Sequence, residues 1–291
     1  MKAITEYEIH IFGMNRCGQH AILAWLLGMF DNVLYKNDMG KGTFIIDPIF
    51  MHNNEKMDVW KYYYYQNYGK NVQRKEWEVF SPEYKMDAII LGSENAYVEG
   101  FADNYSSLFC EKAIPEVLKL YNGDVDTFSK KKIFIPVIRS PHNHAASCLK
   151  WRGVKHFINQ PKNFISLWKS YAEEYLGDTN HMSKIPNSVT IPISYDHWFS
   201  DEEYRKNAFN KMDIDVEYSE KNLNSVLGFG KGSSFGRGSN NAQKMDVLNR
   251  WKYWMDVTKN NQHYLNMLND PNLLQLSEKI YGEMPFIVKG M

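Results

Sequence analysis

Residues 6–29 read EYEIHIFGMNRCGQHAILAWLLGM: a run of β-formers, a loop with two glycines, and an apolar run. Residues 6–13 are short, rich in β-formers and closed by Gly13, which predicts a buried strand. Residues 20–29 are apolar and rich in Ala and Leu, which predicts a buried helix. Strand, glycine-bearing turn and helix in that order is the opening unit of an α/β fold.

The rest of the chain repeats the alternation. Further strands are expected at 43–46, 87–91, 132–139 and 188–195. Pro136 and Pro192 each suggest a bulge or a sheet edge, because proline cannot donate to a strand ladder. Helices are expected at 114–121, 141–150, 163–176 and 201–212. For the last of these, Ser200 with Glu203 three residues on reads as a capping box. Residues 243–267 carry Met245, Leu248, Trp251 and Met255 at helical spacing and read as one long C-terminal helix. Apolar strands separated by long helical segments predict a parallel central sheet flanked by helices, with residues 1–291 forming a single domain.

Composition narrows the function. The chain has 291 residues, 44% of them apolar, with 34 basic residues against 34 acidic ones. A neutral balance does not point to nucleic acid, whose binding rests on a basic surface. Cys17, Cys110 and Cys148 are too few for a disulfide framework and lack zinc-ligand spacing. No signal-peptide pattern opens the sequence, and no apolar run approaches the roughly 20 residues of a membrane span. A cytoplasmic protein without a membrane partner is the expectation.

Residues 13–20 (Gly13, Met14, Asn15, Arg16, Cys17, Gly18, Gln19 and His20) keep the two-glycine spacing of a Walker A loop. Gln19 replaces its lysine, and His20 replaces its magnesium-binding hydroxyl. N–H groups at a strand-to-helix turn still attract an anion, helped by the helix dipole. Arg16 returns the missing positive charge, and His20 adds a donor. Without the hydroxyl the loop offers magnesium no ligand, which favours a reaction that needs no metal. The competing reading is a tight turn with a solvated arginine.

A second anion-binding pattern follows the strand at 132–139. Arg139 ends that strand, and Ser140-Pro141 is a good helix start. Ser147 lies about two turns on and shares a face with Asn143. Forked guanidinium donors suit phosphate. An ordinary salt bridge from Arg139 is the alternative. His142 and His144, two apart on the helix, point to different faces and read as helix-surface or acceptor-facing residues rather than metal ligands.

Together the two motifs resemble the PAPS-dependent sulfotransferases. Arg16-Cys17-Gly18 stands where that family holds the 5′-phosphosulfate, and Arg139 with Ser147 eight positions later stands where it holds the 3′-phosphate. The resemblance implies the P-loop-type sulfotransferase architecture, PAPS as co-substrate with PAP as product, and no metal. It implies cofactor contacts from Gly13, Asn15, Arg16, Cys17, Gly18, Gln19 and His20. By the same analogy the glycine-rich stretch 227–240 closes over the nucleotide, with Lys231, Ser233, Ser234 and Arg237 as contacts. Glu94, after the strand at 87–91, resembles the family's general base; His52 and Asp47 are reserves. Arg16 and His20 would assist transfer to a hydroxyl or amine of a glycan or small-molecule acceptor. The rival readings are a P-loop kinase or NTPase with an atypical loop, and a non-catalytic PAP-binding module.

Overall fold

The computed structural model describes residues 3–36, 49–53, 56–62, 66–67, 70–71, 86–94, 98, 127–153, 161–182, 185, 187–225, 245–252 and 262–283. The expected strand at 43–46 and helix at 114–121 lie outside these residues, as do Asp47 and the whole of 227–240 with Lys231, Ser233, Ser234 and Arg237.

In chain order the elements are β1 (Ala3–Gly13), α1 (Gln19–Leu27), β2 (Asn32–Lys36), β3 (Ile49–Asn53), β4 (Lys56–Tyr62), β5 (Gln66–Asn67), β6 (Lys70–Asn71), β7 (Met86–Glu94) and β8 (Thr127–Ile138). They continue with α2 (Pro141–Arg152), α3 (Pro161–Leu176), β9 (Ser188–Thr190), β10 (Ile193–Ser194), α4 (Tyr195–Ser200), α5 (Glu202–Met212), α6 (Gln262–Leu268) and α7 (Pro271–Tyr281). The main sheet has the order β10-β8-β1-β7-β2-β3-β4, with β9 also pairing β8. β1, β2, β7, β8, β9 and β10 run parallel, and β3 and β4 add an antiparallel edge. This is the expected α/β fold with a parallel centre, extended by a hairpin the apolar pattern did not foretell.

Each face of the sheet buries one core, because residues alternate across a strand. Ile9 and Ile11 of β1 meet Ile22, Trp25 and Leu26 of α1 on one side. Phe12 and Phe134 meet Trp168 and Tyr171 of α3 and Leu273 and Ile280 of α7 on the other. Burial of each such side chain stabilises by roughly 1.5–3 kcal/mol. α1 is buried from Ile22 to Leu27, which explains its lack of a polar stripe.

Pro192 interrupts the edge strands as expected, whereas Pro136 departs from the expectation. β8 is a central strand, and Pro136 pairs in register with Phe12 of β1 without a bulge. The irregularity falls on the neighbour: β9 pairs residues 132–134 of β8 and β10 pairs 137–138, so the break around Pro192 lies opposite Pro136. The missing N–H thus meets a gap in the ladder. The helix after Ser200 is capped by Asp201, whose carboxylate accepts from the Tyr204 N–H, while Ser200 Oγ donates to the carbonyls of Asp196 and His197.

All the parallel strands end on the same side, where open α/β sheets bind ligands. Gly13, Glu94 and Val137 lie side by side in register at that edge.

Candidate functional site

The loop after β1 is shaped by its main chain. Arg16 has φ 73 and Gly18 has φ 104, two left-handed residues within three positions. The Cys17 N–H donates to the Met14 carbonyl at 3.0 Å and closes the turn. No side chain caps α1 at Gly18, so the first turn keeps its positive N-terminal field available to an anion. Both glycines are sterically required. A Cβ on Gly13 would stand 2.5 Å from Cys17 Sγ and 2.9 Å from the Val137 carbonyl oxygen. A Cβ on Gly18 would stand 2.3 Å from the Tyr195 ring.

α2 holds this loop by its carbonyls. His144 Nε2 lies 2.8 Å from the Asn15 oxygen, and Cys148 Sγ donates to the same oxygen at 3.6 Å. A carbonyl only accepts, so His144 carries its proton on Nε2. Burial is the main force lowering the His144 pKa to about 3, with the Arg139 charge acting the same way against the Asn15 bond. Burial lowers His142 to about 4. Both rings are buried and neutral at physiological pH, which corrects the expectation that they lie on the helix surface.

Arg139 is the centre of the second motif. It is 1% exposed, and its partners are the Ser147 hydroxyl (Nη1, 2.9 Å), the Arg16 carbonyl (Nη1, 3.4 Å) and the Val247 carbonyl (Nη2). Its guanidinium carbon also lies 5.0 Å from the centre of the Tyr195 ring. Nε is buried without any acceptor. None of these partners is a carboxylate, so among the described residues Arg139 forms no salt bridge. A buried guanidinium without a counter-charge is costly, and such groups are ordinarily paired.

Ser147 sharpens the electrostatics. Its oxygen accepts from Arg139 Nη1 and, at 3.1 Å, from Arg250 Nη1. Two acceptances use both lone pairs, and the hydroxyl proton is left to donate. Arg250 is pushed down to about 9 by burial and then by the charges of Arg139 and Arg16. Two guanidiniums therefore share one buried hydroxyl, and the Arg16 charge acts on one of them, Arg250. The site is rich in donors and suited to a multiply charged oxyanion.

Arg250 was not evident in the sequence, because the long helix expected from 243 does not form there. Residues 245–249 turn instead: Asp246 is left-handed at φ 43, and Asn249 Nδ2 donates to its carboxylate at 2.8 Å. Helix resumes at residue 250. Asp246 and Asn249 are the signal that reads as a helix start rather than an interior.

Asp196, at the start of α4, is a second residue the sequence did not mark. Its carboxylate accepts from the Ser140 N–H at 2.7 Å, Ser140 Oγ at 3.0 Å and Asn143 Nδ2 at 3.0 Å. The N-terminus of α2 is thus already filled by a carboxylate, and the available donors lie deeper, at Arg139, Ser147 and Arg250. Glu94 ends β7 in register with Gly13, and His52 lies in β3, opposite Val33. Among the described residues no group of three His, Cys, Asp or Glu side chains could hold a metal ion. Among them, too, no helix is long and apolar enough to cross a membrane.

No protein-family model matches this chain, and no curated protein matches it. Among solved structures it is similar to the sulfotransferase domain from a Synechococcus olefin synthase, with a TM-score of 0.46 and 12% identity over 98% of each chain.

Proposed function

We propose that this protein is a PAPS-dependent sulfotransferase that transfers a sulfuryl group, without a metal, to a hydroxyl or amine of a glycan or small-molecule acceptor. The observation that carries the reading is Arg139, a buried guanidinium with an unfilled Nε–H and, among the described residues, no carboxylate partner, bonded at once to Ser147 and to the main chain of the first loop. One donor site would hold the 3′-phosphate, and the loop of residues 13–20 would hold the 5′-phosphosulfate. A bisphosphorylated nucleotide has an anion for each.

PAPS, when bound, supplies the activated sulfuryl group. The chain's own residues orient and stabilise. The loop N–H groups, with Gly13, Asn15, Cys17, Gly18 and Gln19 setting their path, would bind the 5′ end. Arg16 and His20 would stabilise charge on the bridging oxygen as it departs with PAP. Arg139, Ser147 and Arg250 would fix the 3′ end and so the direction of transfer. Glu94, on the same sheet edge as Gly13, would accept the acceptor's proton. Lys231, Ser233, Ser234 and Arg237 would close over the nucleotide. The chain would act as a single cytoplasmic domain, independent of nucleic acid and membrane.

Calorimetric titration with PAP, PAPS and ATP, each with and without magnesium, tests this. The expected result is tight PAP binding indifferent to magnesium, weakened by about 2–4 kcal/mol in Arg139→Ala. ATP binding that requires magnesium, with none for PAP, would replace this reading with a kinase or NTPase. PAP binding without turnover of any acceptor would leave a nucleotide-binding module.

A further inference from the structure

Residues 245–252 carry Arg250 to the anion site, yet they are more than a hundred positions from the helix they lie against. Asn143 of α2 makes the connection. Its Nδ2 donates to the Leu248 carbonyl at 2.7 Å, and its Oδ1 accepts from the Trp251 N–H at 3.4 Å. The second Nδ2 hydrogen faces Asp196 Oδ1 at 3.0 Å and Ser140 Oγ at 3.1 Å. The amide cannot be turned over, because a flip would set oxygen against two acceptors and nitrogen against a donor. Asp196 therefore fixes the Asn143 orientation, and Asn143 fixes the strap on both sides of Arg250.

We infer that Asn143 is a positioning residue for the anion site: it docks residues 245–252 on α2 so that Arg250 reaches Ser147. The inference rests on the proposed PAP site for its functional consequence, though not for the docking. Asn143 is buried and both of its N–H hydrogens face protein acceptors, so it has no donor left for an anion. Arg139 also holds the strap, through the Val247 carbonyl, and Met245 and Val247 are buried in the core. Loss of Asn143 leaves Leu248 and Trp251 without their α2 partners while Arg139 still holds Val247. The segment that carries Arg250 then loses the two bonds that flank it, and with them the alignment that brings Arg250 to Ser147.

A double-mutant cycle and hydrogen exchange test this together. Arg250→Met should weaken PAP binding by about 30-fold. Asn143→Ala should weaken it nearly as much, and the double variant should be no worse than Arg250→Met alone, because both act through one contact. Additive losses would overturn the inference, since a merely structural Asn143 would act independently of Arg250. In the ligand-free protein, the amides of residues 248–252 should lose protection in Asn143→Ala, while those of α1 keep theirs. Retained protection at 248–252 overturns the docking claim whether or not PAP binds. If wild-type protein binds no PAP but those amides do lose protection, the proposed function fails and the docking stands. Asn143→Ser, which keeps a small hydroxyl donor, serves for the same measurements if the alanine variant does not fold.

Discussion

The loop of residues 13–20 and the pocket around Arg139 are joined by a hydrogen bond from the guanidinium to the Arg16 carbonyl and by the Tyr195 ring, yet they keep their shapes by different means. The loop depends on main-chain conformation: two left-handed residues, two glycines pressed by their neighbours, and carbonyls held by α2. The pocket depends on side chains: two cations, a doubly accepting hydroxyl, and an amide that ties in a distant strap. The loop can lose the usual lysine and hydroxyl without losing its form, because those side chains never made the form. The pocket has no such latitude.

The two buried histidines of α2, one of which joins it to the loop, should make stability fall in acid. His142 and His144 titrate near 6.5 in an unfolded chain and at about 4 and about 3 when folded. Below pH 6.5 the unfolded state takes up protons that the folded state refuses. Their contribution is therefore complete above about pH 6.5 and is lost as pH falls towards the folded values. Each histidine costs about 1.4 kcal/mol per pH unit in that window, so the pair should remove about 4 kcal/mol between pH 7 and 5. Urea unfolding at the two pH values measures it. His144→Gln, which keeps an N–H for the Asn15 carbonyl but does not titrate, should abolish about half of the loss. An unchanged pH dependence in that variant would mean the joint is not where the protons go.

A smaller but sharper separation of the regions comes from Gly18→Ala. The left-handed backbone costs an alanine roughly 1–2 kcal/mol, and pressing a methyl into the Tyr195 ring adds a similar amount, about 3 kcal/mol in all. Chemical denaturation should register this as a lower midpoint with unchanged slope. Tyr195 also stacks near Arg139, so displacement of its ring should carry the damage across to the pocket. A folded Gly18→Ala protein of native stability would mean the loop is looser than its main chain implies.

What the sequence revealed follows the same division. Local patterns were readable: the strand–loop–helix at 6–29, the Arg139-to-Ser147 spacing, and the reservation about Pro192. Each is written in consecutive residues whose conformational preferences agree. Arg250, Asn143 and Asp196 were not readable as a unit, because their bonds span 53 to 108 positions and no periodicity records them. The long helix expected at 243–267 failed where Asp246 and Asn249 bond each other instead of continuing the helix. Apolar spacing at Met245, Leu248 and Trp251 was real, but it reports burial of a turn as readily as of a helix. The position of Glu94 was readable too: it ends β7 in register with Gly13.

Ser147→Ala gives the smallest expected effect and the finest distinction. The hydroxyl holds two guanidinium donors at 2.9 and 3.1 Å, so its loss leaves two charged N–H groups without that acceptor. The ligand-free protein should lose about 1–2 kcal/mol of stability. If the hydroxyl proton faces the anion, PAP affinity should fall about tenfold as well, the value of one hydrogen bond to a charged group. A bound phosphate brings its own oxygens to both guanidiniums, so the affinity loss is the cleaner measure of that single proton. Lower stability with unchanged affinity would make Ser147 a brace that keeps two cations apart, and the anion would then be held by the arginines alone.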